Sequence, residues 1–202
     1  MKTRIYQFFR IFFLGVGISL FSFCSKPFPN SDFLLLLGLA IPGQYLFVTS
    51  SSYSGDLGGI AGADLKCQSA KLADGADLPG LPLEYQALLA GPGRAPGGAG
   101  WPLSANTSYF AMTPASTLIF HTTSGALPVI PLDSGIPGSS LNYWTGLDGA
   151  LAAGANCNGW MDSTVAFDAE YGISGDTSIG AFNQGFANPC DTPNMRLLCV
   201  RN

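Results

Sequence analysis

The sequence has few charged residues and a single histidine, and both shortages limit what the protein can do. Only 11% of its 202 residues are charged, nine Lys and Arg face thirteen Asp and Glu, and the net charge is -4. Nucleic-acid binders need clustered cations, so we expect no nucleic-acid partner. A multi-histidine metal site is impossible, and a Ser-His-Asp site would have to use His121. Because no Gly-x-Ser-x-Gly elbow occurs, we expect a structural or solvent-facing His121, no catalytic residues and no enzyme.

Motifs for cofactors and metals are also missing. No phosphate-binding loop of either standard type occurs, and the cysteines lack the paired Cys-x2-Cys spacing of zinc sites. Asp162, Asp168, Glu170 and Asp176 are close in sequence but match no calcium loop, so a solvated acidic loop is the better interpretation. We expect no cofactor and no metal. A carboxylate pair for glycoside hydrolysis depends on distances in space and stays open.

The first 23 residues have the features of a signal peptide. Lys2, Arg4 and Arg10 precede a mostly apolar run of thirteen residues, Ile11–Phe23, which suits an export signal and is short for a membrane span. Removal of residues 1–23 would leave 179 residues in which six Lys and Arg face thirteen acids, a net charge near -7. We therefore predict an exported protein.

Cys24 closes this apolar run and resembles the cysteine of a bacterial lipobox, which is acylated and becomes the new N-terminus. Phe23 stands where a small residue is usual, so an ordinary signal or an uncleaved anchor is the alternative. We predict lipidation at Cys24, with residues 24–44 as the lipidated N-terminus and tether. The apolar segment Phe33–Ile41 is too short to span a bilayer as a helix and would lie at the interface or pack on the domain.

The remainder, residues 45–202, predicts one α+β domain. Ile60, Ala63, Cys67 and Ala70 recur at helical spacing and predict a helix over 61–73, and a second short helix is expected over 83–89. The run GPGRAPGGAG at 91–100 predicts a loop. Strands are expected at Tyr45–Thr49, Tyr109–Met112, Leu118–Thr122, Asn142–Leu147, Gly159–Asp162 and Arg196–Val200. Early helices followed by short strands and long loops are typical of this class.

Four cysteines remain after Cys24, namely Cys67, Cys157, Cys190 and Cys199. An even number in an exported chain predicts two disulfides, and spacing alone leaves three connectivities open.

Several motifs, taken in order, resemble a known family. AGADLKCQSA around the first of these cysteines, YWTGL, CNGW and the terminal LLCV are similar to the C-type lectin-like fold, closest to its endostatin branch. Together with the leader and FVTSSSYSGDLGG, they resemble the leptospiral endostatin-like surface lipoproteins over about residues 45–202. The resemblance implies two helices, small antiparallel sheets with long loops, and two nested disulfides, Cys67–Cys199 and Cys157–Cys190.

The chain also departs from parts of that family. The calcium-binding triplets of sugar-binding lectins are absent, and Asn188-Pro189-Cys190-Asp191 is their nearest approach. The N-terminal zinc histidines and the arginine-rich heparin face of endostatin are absent too. We expect Trp144 and Trp160 to pack in the core, while Trp101 is equally compatible with packing and with the surface.

The resemblance implies a surface-exposed, lipid-anchored outer-membrane protein that binds host extracellular-matrix proteins, complement regulators or plasminogen without catalysis. The loop region 148–191 contains Trp160, Phe167, Tyr171, Phe182 and Phe186, which either form a contact surface or pack the loop on itself. Alternatives are a calcium-independent glycan-binding module and a structural envelope lipoprotein without a host ligand.

Overall fold

A computed structural model gives the structure of the protein and describes residues 44–112 and 116–202. The predicted signal peptide at 1–23, the lipidation at Cys24 and the tether up to residue 43 lie outside the described residues. Among the residues that are described, no helix is both long enough and apolar enough to cross a membrane.

The described chain is an α+β domain with one long helix, one single-turn helix and nine strands. In chain order the elements are β1 (Gln44–Val48), α1 (Gly59–Ala73), β2 (Tyr85–Ala87), β3 (Ser108–Met112), β4 (Ser116–His121), β5 (Asn142–Trp144), α2 (Cys157–Trp160), β6 (Asp168–Ala169), β7 (Tyr171–Ile173), β8 (Asn188–Pro189) and β9 (Arg196–Arg201). Short 3-10 turns at Pro82–Glu84 and Ile179–Ala181 precede β2 and follow β7. The loop predicted over residues 91–100 is confirmed.

Seven strands form one mixed sheet in the order β4-β3-β1-β9-β5-β7, with β2 also paired to β9. The terminal strand β9 pairs antiparallel with β1 and β2 and parallel with β5, and β1 is parallel to β3. The expectation of small antiparallel sheets is therefore wrong for the main sheet. Parallel neighbours need a long connection, and α1 and the long loops provide it. Only the β6–β8 pair is a small, separate antiparallel sheet.

Two predicted elements are wrong. Residues 83–89 do not form a helix. Tyr85 and Ala87 are buried while Gln86 between them is half-buried, and this period of two fits a strand. The strand is β2, which pairs with the end of β9 that extends beyond β5. Residues 159–162 do not form a strand either. The backbone there belongs to the single turn Cys157–Trp160, whose residues have positive φ angles that strands do not adopt.

Helix α1 packs on the sheet through one narrow face. Its buried residues are Ala63, Cys67, Ala70 and Lys71, spaced by four, three and one as a single helical stripe requires. Three of the four side chains are small, so the helix lies close to the strands. Cys67 uses this proximity to form a disulfide with Cys199 in the central strand β9, with a Cα–Cα distance of 5.5 Å.

The sheet separates two hydrophobic clusters, because successive side chains of a strand point to opposite faces. In β9, Leu197 and Cys199 lie in the cluster under α1, whereas Leu198 and Val200 lie in the cluster under the long loops. Trp144 and Trp160 are fully buried in the first cluster, as predicted. Trp101 is also packed inside: it is 5% exposed, and its Nε1 donates to the Ala126 carbonyl at 2.9 Å.

A buried ion pair fixes the glycine-rich loop onto α1. Arg94 donates two hydrogen bonds to the Asp64 carboxylate, at 2.9 and 2.7 Å, and one to the Ala87 carbonyl at 3.1 Å. The Ala87 amide in turn donates to Asp64 at 3.0 Å. Buried charges need such complete pairing, so this cluster explains how a loop with five glycines from residue 91 to residue 100 has a defined course.

Candidate functional site

The histidine singled out by the sequence lies beside a serine and an aspartate. His121 in β4 faces Ser108 in β3, and its Nδ1 is 3.0 Å from the Ser108 hydroxyl. Its Nε2 is 3.7 Å from Asp133 Oδ2, with side-chain exposures of 50% for His121 and 42% for Asp133. In a catalytic triad the base is oriented by the hydrogen bond that it donates to a carboxylate, and the site excludes water. Here the distance from His121 to the Asp133 carboxylate is longer than a hydrogen bond, and both side chains face solvent. His121 and Ser108 therefore resemble an exposed pair of polar side chains on neighbouring strands.

The acidic residues of the late loops do not converge. Asp162 and Asp176 each accept the amide of the residue two positions on, at 2.7 Å, and so stabilise their own turns. Glu170 accepts from the Asn183 side chain at 2.7 Å, and Asp168 is exposed on β6. Within residues 44–112 and 116–202, no three His, Cys, Asp or Glu side chains are grouped as metal ligands.

The second disulfide, Cys157–Cys190, anchors the late loops. It has a Cα–Cα distance of 5.6 Å, and both cysteines are fully buried. Together with Cys67–Cys199 it gives the nested pairing that the family resemblance implies. The segment before α1 passes directly over the bridge, because the Gly55 amide donates to the Cys190 carbonyl at 2.7 Å. A Cβ at position 55 would overlap Cys157 Sγ, so only glycine allows this approach.

The chain adopts a left-handed turn where it meets this disulfide. The φ angles of Cys157, Asn158, Gly159 and Trp160 are +49°, +52°, +75° and +66°. A left-handed conformation costs a non-glycine residue roughly 1–2 kcal/mol, and such residues usually occur singly. Three of these four successive residues are not glycine, so the turn is strained backbone, which persists only where the surroundings determine it strongly.

Buried contacts hold the left-handed turn in place. The Trp160 amide donates to the Asn156 carbonyl at 2.7 Å, and the Asn156 side chain accepts from the Gly159 amide at 2.9 Å. The Trp160 ring is fully buried, and its Nε1 donates to the Ala90 carbonyl at 2.9 Å. The disulfide at Cys157 fixes the other end. The turn therefore fixes the direction in which the chain reaches the surface at Met161.

Those residues lead into the ribbon of β6 and β8. Asp168 pairs with Pro189 and Ala169 with Asn188, and the Cys190 amide donates to the Phe167 carbonyl at 2.9 Å. The residues from 163 to 168 are all exposed. The ribbon is thus bound to the disulfide on one side and faces solvent on the other.

Large apolar side chains are exposed at this ribbon. Met161, Val165, Phe167 and Phe186 have 61%, 73%, 42% and 60% of their surface accessible. We call these four side chains, with the carboxylates of Asp162, Asp168 and Asp191, the ribbon surface. The other aromatic residues of the late loops behave differently: Trp160 and Phe182 are fully buried and Tyr171 is 6% exposed. Three of the five loop aromatics thus pack inside, whereas Phe167 and Phe186 face solvent, so a contact surface stays a prediction for these two alone.

Charge is distributed unevenly between the two parts of the chain. No lysine or arginine occurs between Arg94 and Arg196 in the sequence, yet this stretch contains seven acidic residues. From residue 24 to Arg94 and from Arg196 to the end, six cations balance six acids. The ribbon surface therefore lies in the segment that contributes all of the net negative charge of residues 24–202. This uneven distribution of charge can be counted along the sequence, although the overall composition does not reveal it.

A family model matches residues 50–177, which is more than half of the chain, and its description is "Protein of unknown function (DUF1554)". The chain belongs to this family. A comparison with the curated proteins gave no match. The DUF1554 segment runs from the loop after β1 to the loop after β7.

The DUF1554 segment contains only one cysteine of each disulfide. Cys67 and Cys157 lie within residues 50–177, whereas Cys190 and Cys199 follow it. The central strand β9 and the second strand of the ribbon, β8, also follow it. The 25 residues after the DUF1554 match thus complete both the sheet and the ribbon surface in this protein.

Proposed function

We propose that the protein is a surface-exposed bacterial lipoprotein that binds host proteins without catalysis, through a C-type lectin-like domain of the endostatin type. The partners would be extracellular-matrix proteins, complement regulators or plasminogen, as the family resemblance implies. The observation that carries the proposal is the ribbon surface. Four large apolar side chains face solvent on a segment that is fixed by a disulfide and a strained turn.

Pre-organisation is the physical reason to assign binding to this surface. Ordering a loop on association costs free energy, and a surface that is already ordered avoids that cost. Large apolar patches on soluble domains are typical of interaction sites. Strained backbone that the surroundings maintain is concentrated at functional positions. The left-handed turn and the exposed Phe167 and Phe186 combine these features within one short region.

General features of the fold support the lectin-like assignment. The two nested disulfides, the central terminal strand β9 and the long loops beyond the sheet are all consistent with it. A fold does not determine a function, so the binding proposal depends on the ribbon surface and not on the fold.

Sugar binding has less support from the geometry. A glycan platform of the kind considered from the sequence would need an exposed loop tryptophan or tyrosine to stack on the sugar. Trp101, Trp144 and Trp160 are each 5% exposed or less, and Tyr171 is 6% exposed. Binding of proteins is therefore the function that these side chains favour.

A binding panel tests the proposal. The purified full chain, unreduced, is titrated against laminin, fibronectin, plasminogen and complement regulators at physiological salt. We expect saturable binding to at least one of them, and its loss in the variant Val165→Ser/Phe167→Ser/Phe186→Ser. The matched control Leu65→Ser/Leu72→Ser removes exposed leucines of α1, which are 62% and 71% accessible, and should leave binding unchanged. Absence of binding across the panel would contradict the proposal.

Two further measurements test the location. Mass spectrometry of the mature, unreduced protein determines whether Cys24 is acylated. Protease treatment of intact cells determines whether the domain faces outward, and resistance to protease would favour a structural envelope lipoprotein instead.

A further inference from the structure

We infer that the ribbon surface binds a basic polypeptide segment that also contains apolar side chains. This inference rests on the proposed function and adds the chemical class of the partner. Its basis is the arrangement of apolar and acidic side chains on one fixed element, together with the lack of any cation in that part of the sequence.

The two exposed phenylalanines lie at opposite ends of the ribbon. Phe167 lies opposite Cys190 at one end, where its carbonyl accepts the Cys190 amide. Phe186 lies near the other end, where its ring contacts Tyr171 edge-on with centroids 5.6 Å apart. Positions 167 and 171 are four residues apart along the chain, which corresponds to about 13 Å of extended backbone at about 3.3 Å per residue. An extended peptide of a few residues matches this length.

Carboxylates flank these apolar side chains. Asp168 in β6 and Asp191 just after β8 are both exposed at the end of the ribbon where Phe167 lies. Asp162 follows Met161, and Asp56 lies opposite Met161 across a single β-bridge. Among the described residues, the ion pairs formed by arginine involve only Asp64 and Glu84. The carboxylates of the ribbon surface are therefore not neutralised by ion pairs within the described domain.

The cations of the described chain are all engaged elsewhere. Arg196 donates to the carbonyls of Thr49 and Ser50. Arg94 and Arg201 pair with Asp64 and Glu84. Lys66 and Lys71 lie over the rings of Tyr53 and Tyr85. The described residues therefore supply no free positive charge to complement the ribbon surface, and a partner would provide it.

A metal ion does not fit this arrangement. The carboxylates are spread along the ribbon, and Asp162 already accepts the amide and the hydroxyl of Thr164, at 2.7 and 2.6 Å. A calcium ion needs six to eight oxygens around one point. The ribbon surface instead combines exposed apolar side chains with carboxylates that have no cationic partner among the described residues, and complementary rim charges surround an apolar centre in protein interfaces. A segment that contains both cationic and apolar groups matches this combination.

The test uses the full chain with both disulfides intact and three synthetic peptides of fourteen residues. The first contains lysine, leucine and serine; in the second, glutamate replaces lysine; in the third, serine replaces leucine. We expect saturable binding of the first peptide only. Affinity should fall about tenfold in Asp162→Asn/Asp168→Asn/Asp191→Asn, which corresponds to about 1.4 kcal/mol, because three charges at the rim are removed together. It should fall similarly in Phe167→Ser/Phe186→Ser, and Leu65→Ser/Leu72→Ser is the control.

Asparagine at position 162 retains a side-chain oxygen for Thr164, so the asparagine variant keeps its turn, and circular dichroism checks its fold. Equal binding of the glutamate peptide, or unchanged affinity in the asparagine variant, would overturn the inference. If a protein of the panel binds and the serine variant abolishes that binding while the asparagine variant does not, the proposed function stands and the basic partner is wrong. If the lysine peptide binds at the ribbon surface and no panel protein does, the host-protein proposal fails and the inference stands.

Discussion

Two parts of this molecule are held together by different interactions. The helix part, residues 44–94 with strand β9, contains Cys67–Cys199 and both arginine ion pairs, Asp64–Arg94 and Glu84–Arg201. The loop part, residues 95–195, contains Cys157–Cys190, seven acidic residues and no lysine or arginine. Each part therefore has its own disulfide, but only the helix part uses arginine ion pairs.

Neutral hydrogen bonds replace ion pairs in the loop part. The buried Tyr143 hydroxyl donates to the Ala181 carbonyl at 2.6 Å, and the Thr145 hydroxyl donates to the Phe182 carbonyl at 2.7 Å. Asn183 donates to the Leu147 carbonyl at 2.8 Å. These side chains satisfy loop carbonyls that no strand can pair, as buried polar groups require. A segment ordered in this way needs no arginine or lysine, so exposed carboxylates such as those of Asp168 and Asp191 have no arginine partner among the described residues.

Removing each disulfide in turn tests the comparison most strongly. The bridges enclose 132 and 33 residues, so the chain-entropy model predicts losses of about 5 kcal/mol for Cys67→Ala/Cys199→Ala and about 4 kcal/mol for Cys157→Ala/Cys190→Ala. Urea unfolding measures both losses. We also expect the second variant, at concentrations where it remains folded, to lose binding at the ribbon surface. Retained binding in that variant would show that the disulfide does not organise the surface.

The ion pairs of the helix part differ in burial, which gives the next largest effect. Arg94 and Asp64 side chains are 7% and 14% exposed, whereas Arg201 and Glu84 are 25% and 34% exposed. Removing one partner of a buried pair leaves an uncompensated charge, so Arg94→Met should lower the free energy of unfolding by about 3–5 kcal/mol. Arg201→Met, the control, should lower it by at most about 1 kcal/mol. Similar losses for both in urea titrations would mean that burial does not separate the two pairs.

The sequence predicted the elements with a clear apolar pattern, and these occur in both parts of the molecule. Helix α1 follows directly from its helical apolar periodicity. Strands β1, β3, β4 and β9 follow from β-branched and aromatic runs, which are typical of strands with buried side chains. Strand β2 was predicted as a helix because its period of two covers only three residues, which is too short to recognise in the sequence. Its conformation is set by the free edge of β9, which is distant in sequence.

The candidate site was harder to predict for a related reason. The left-handed turn at Cys157–Trp160 is determined by a disulfide, a buried indole and a hydrogen bond to Ala90, none of which is local. Composition identified the loop aromatics, but their neighbours decide that Trp160 is buried and that Phe167 and Phe186 are exposed. The lack of cations between Arg94 and Arg196 was available from the sequence and needed only a count along the chain.

The strained turn gives a smaller, local test of the loop part. Asn158 has φ +52° and ψ +48° and is exposed, so its side chain contributes little besides tolerance of this conformation. Asn158→Val should lower the free energy of unfolding by about 1–3 kcal/mol, because β-branched residues strongly disfavour the left-handed region. Asn158→Gly, the matched control, should be neutral or slightly stabilising. Thermal unfolding compares them, and equal stability of the two variants would contradict the assignment of strain.

The smallest expected effect concerns one acid of the loop part and its dependence on pH. Hydrogen bonds from the amide and the hydroxyl of Ser178 hold the pKa of the Asp176 carboxyl below its usual value of 3.8. A carboxyl whose pKa is lower in the folded protein stabilises it fully above the unfolded pKa, and this contribution is lost as pH falls through the folded pKa. Asp176→Asn should therefore melt at a lower temperature than the unmodified protein at pH 7, and the gap should close in acid below pH 3.8.

Asp168→Asn is the control for this last effect, because Asp168 is exposed on β6 and has no hydrogen bond from the described side chains or amides to its carboxylate. Melting temperatures of all three proteins between pH 7 and pH 2 make the comparison. If the difference in melting temperature between Asp176→Asn and the unmodified protein persists unchanged into acid, the charge of the carboxylate does not stabilise the protein and only the shape of the side chain matters. If the difference in melting temperature closes in acid, the ionised Asp176 carboxylate stabilises its own turn by accepting hydrogen bonds. Asp168 on the ribbon surface is exposed, and its carboxylate is available to a cationic partner instead.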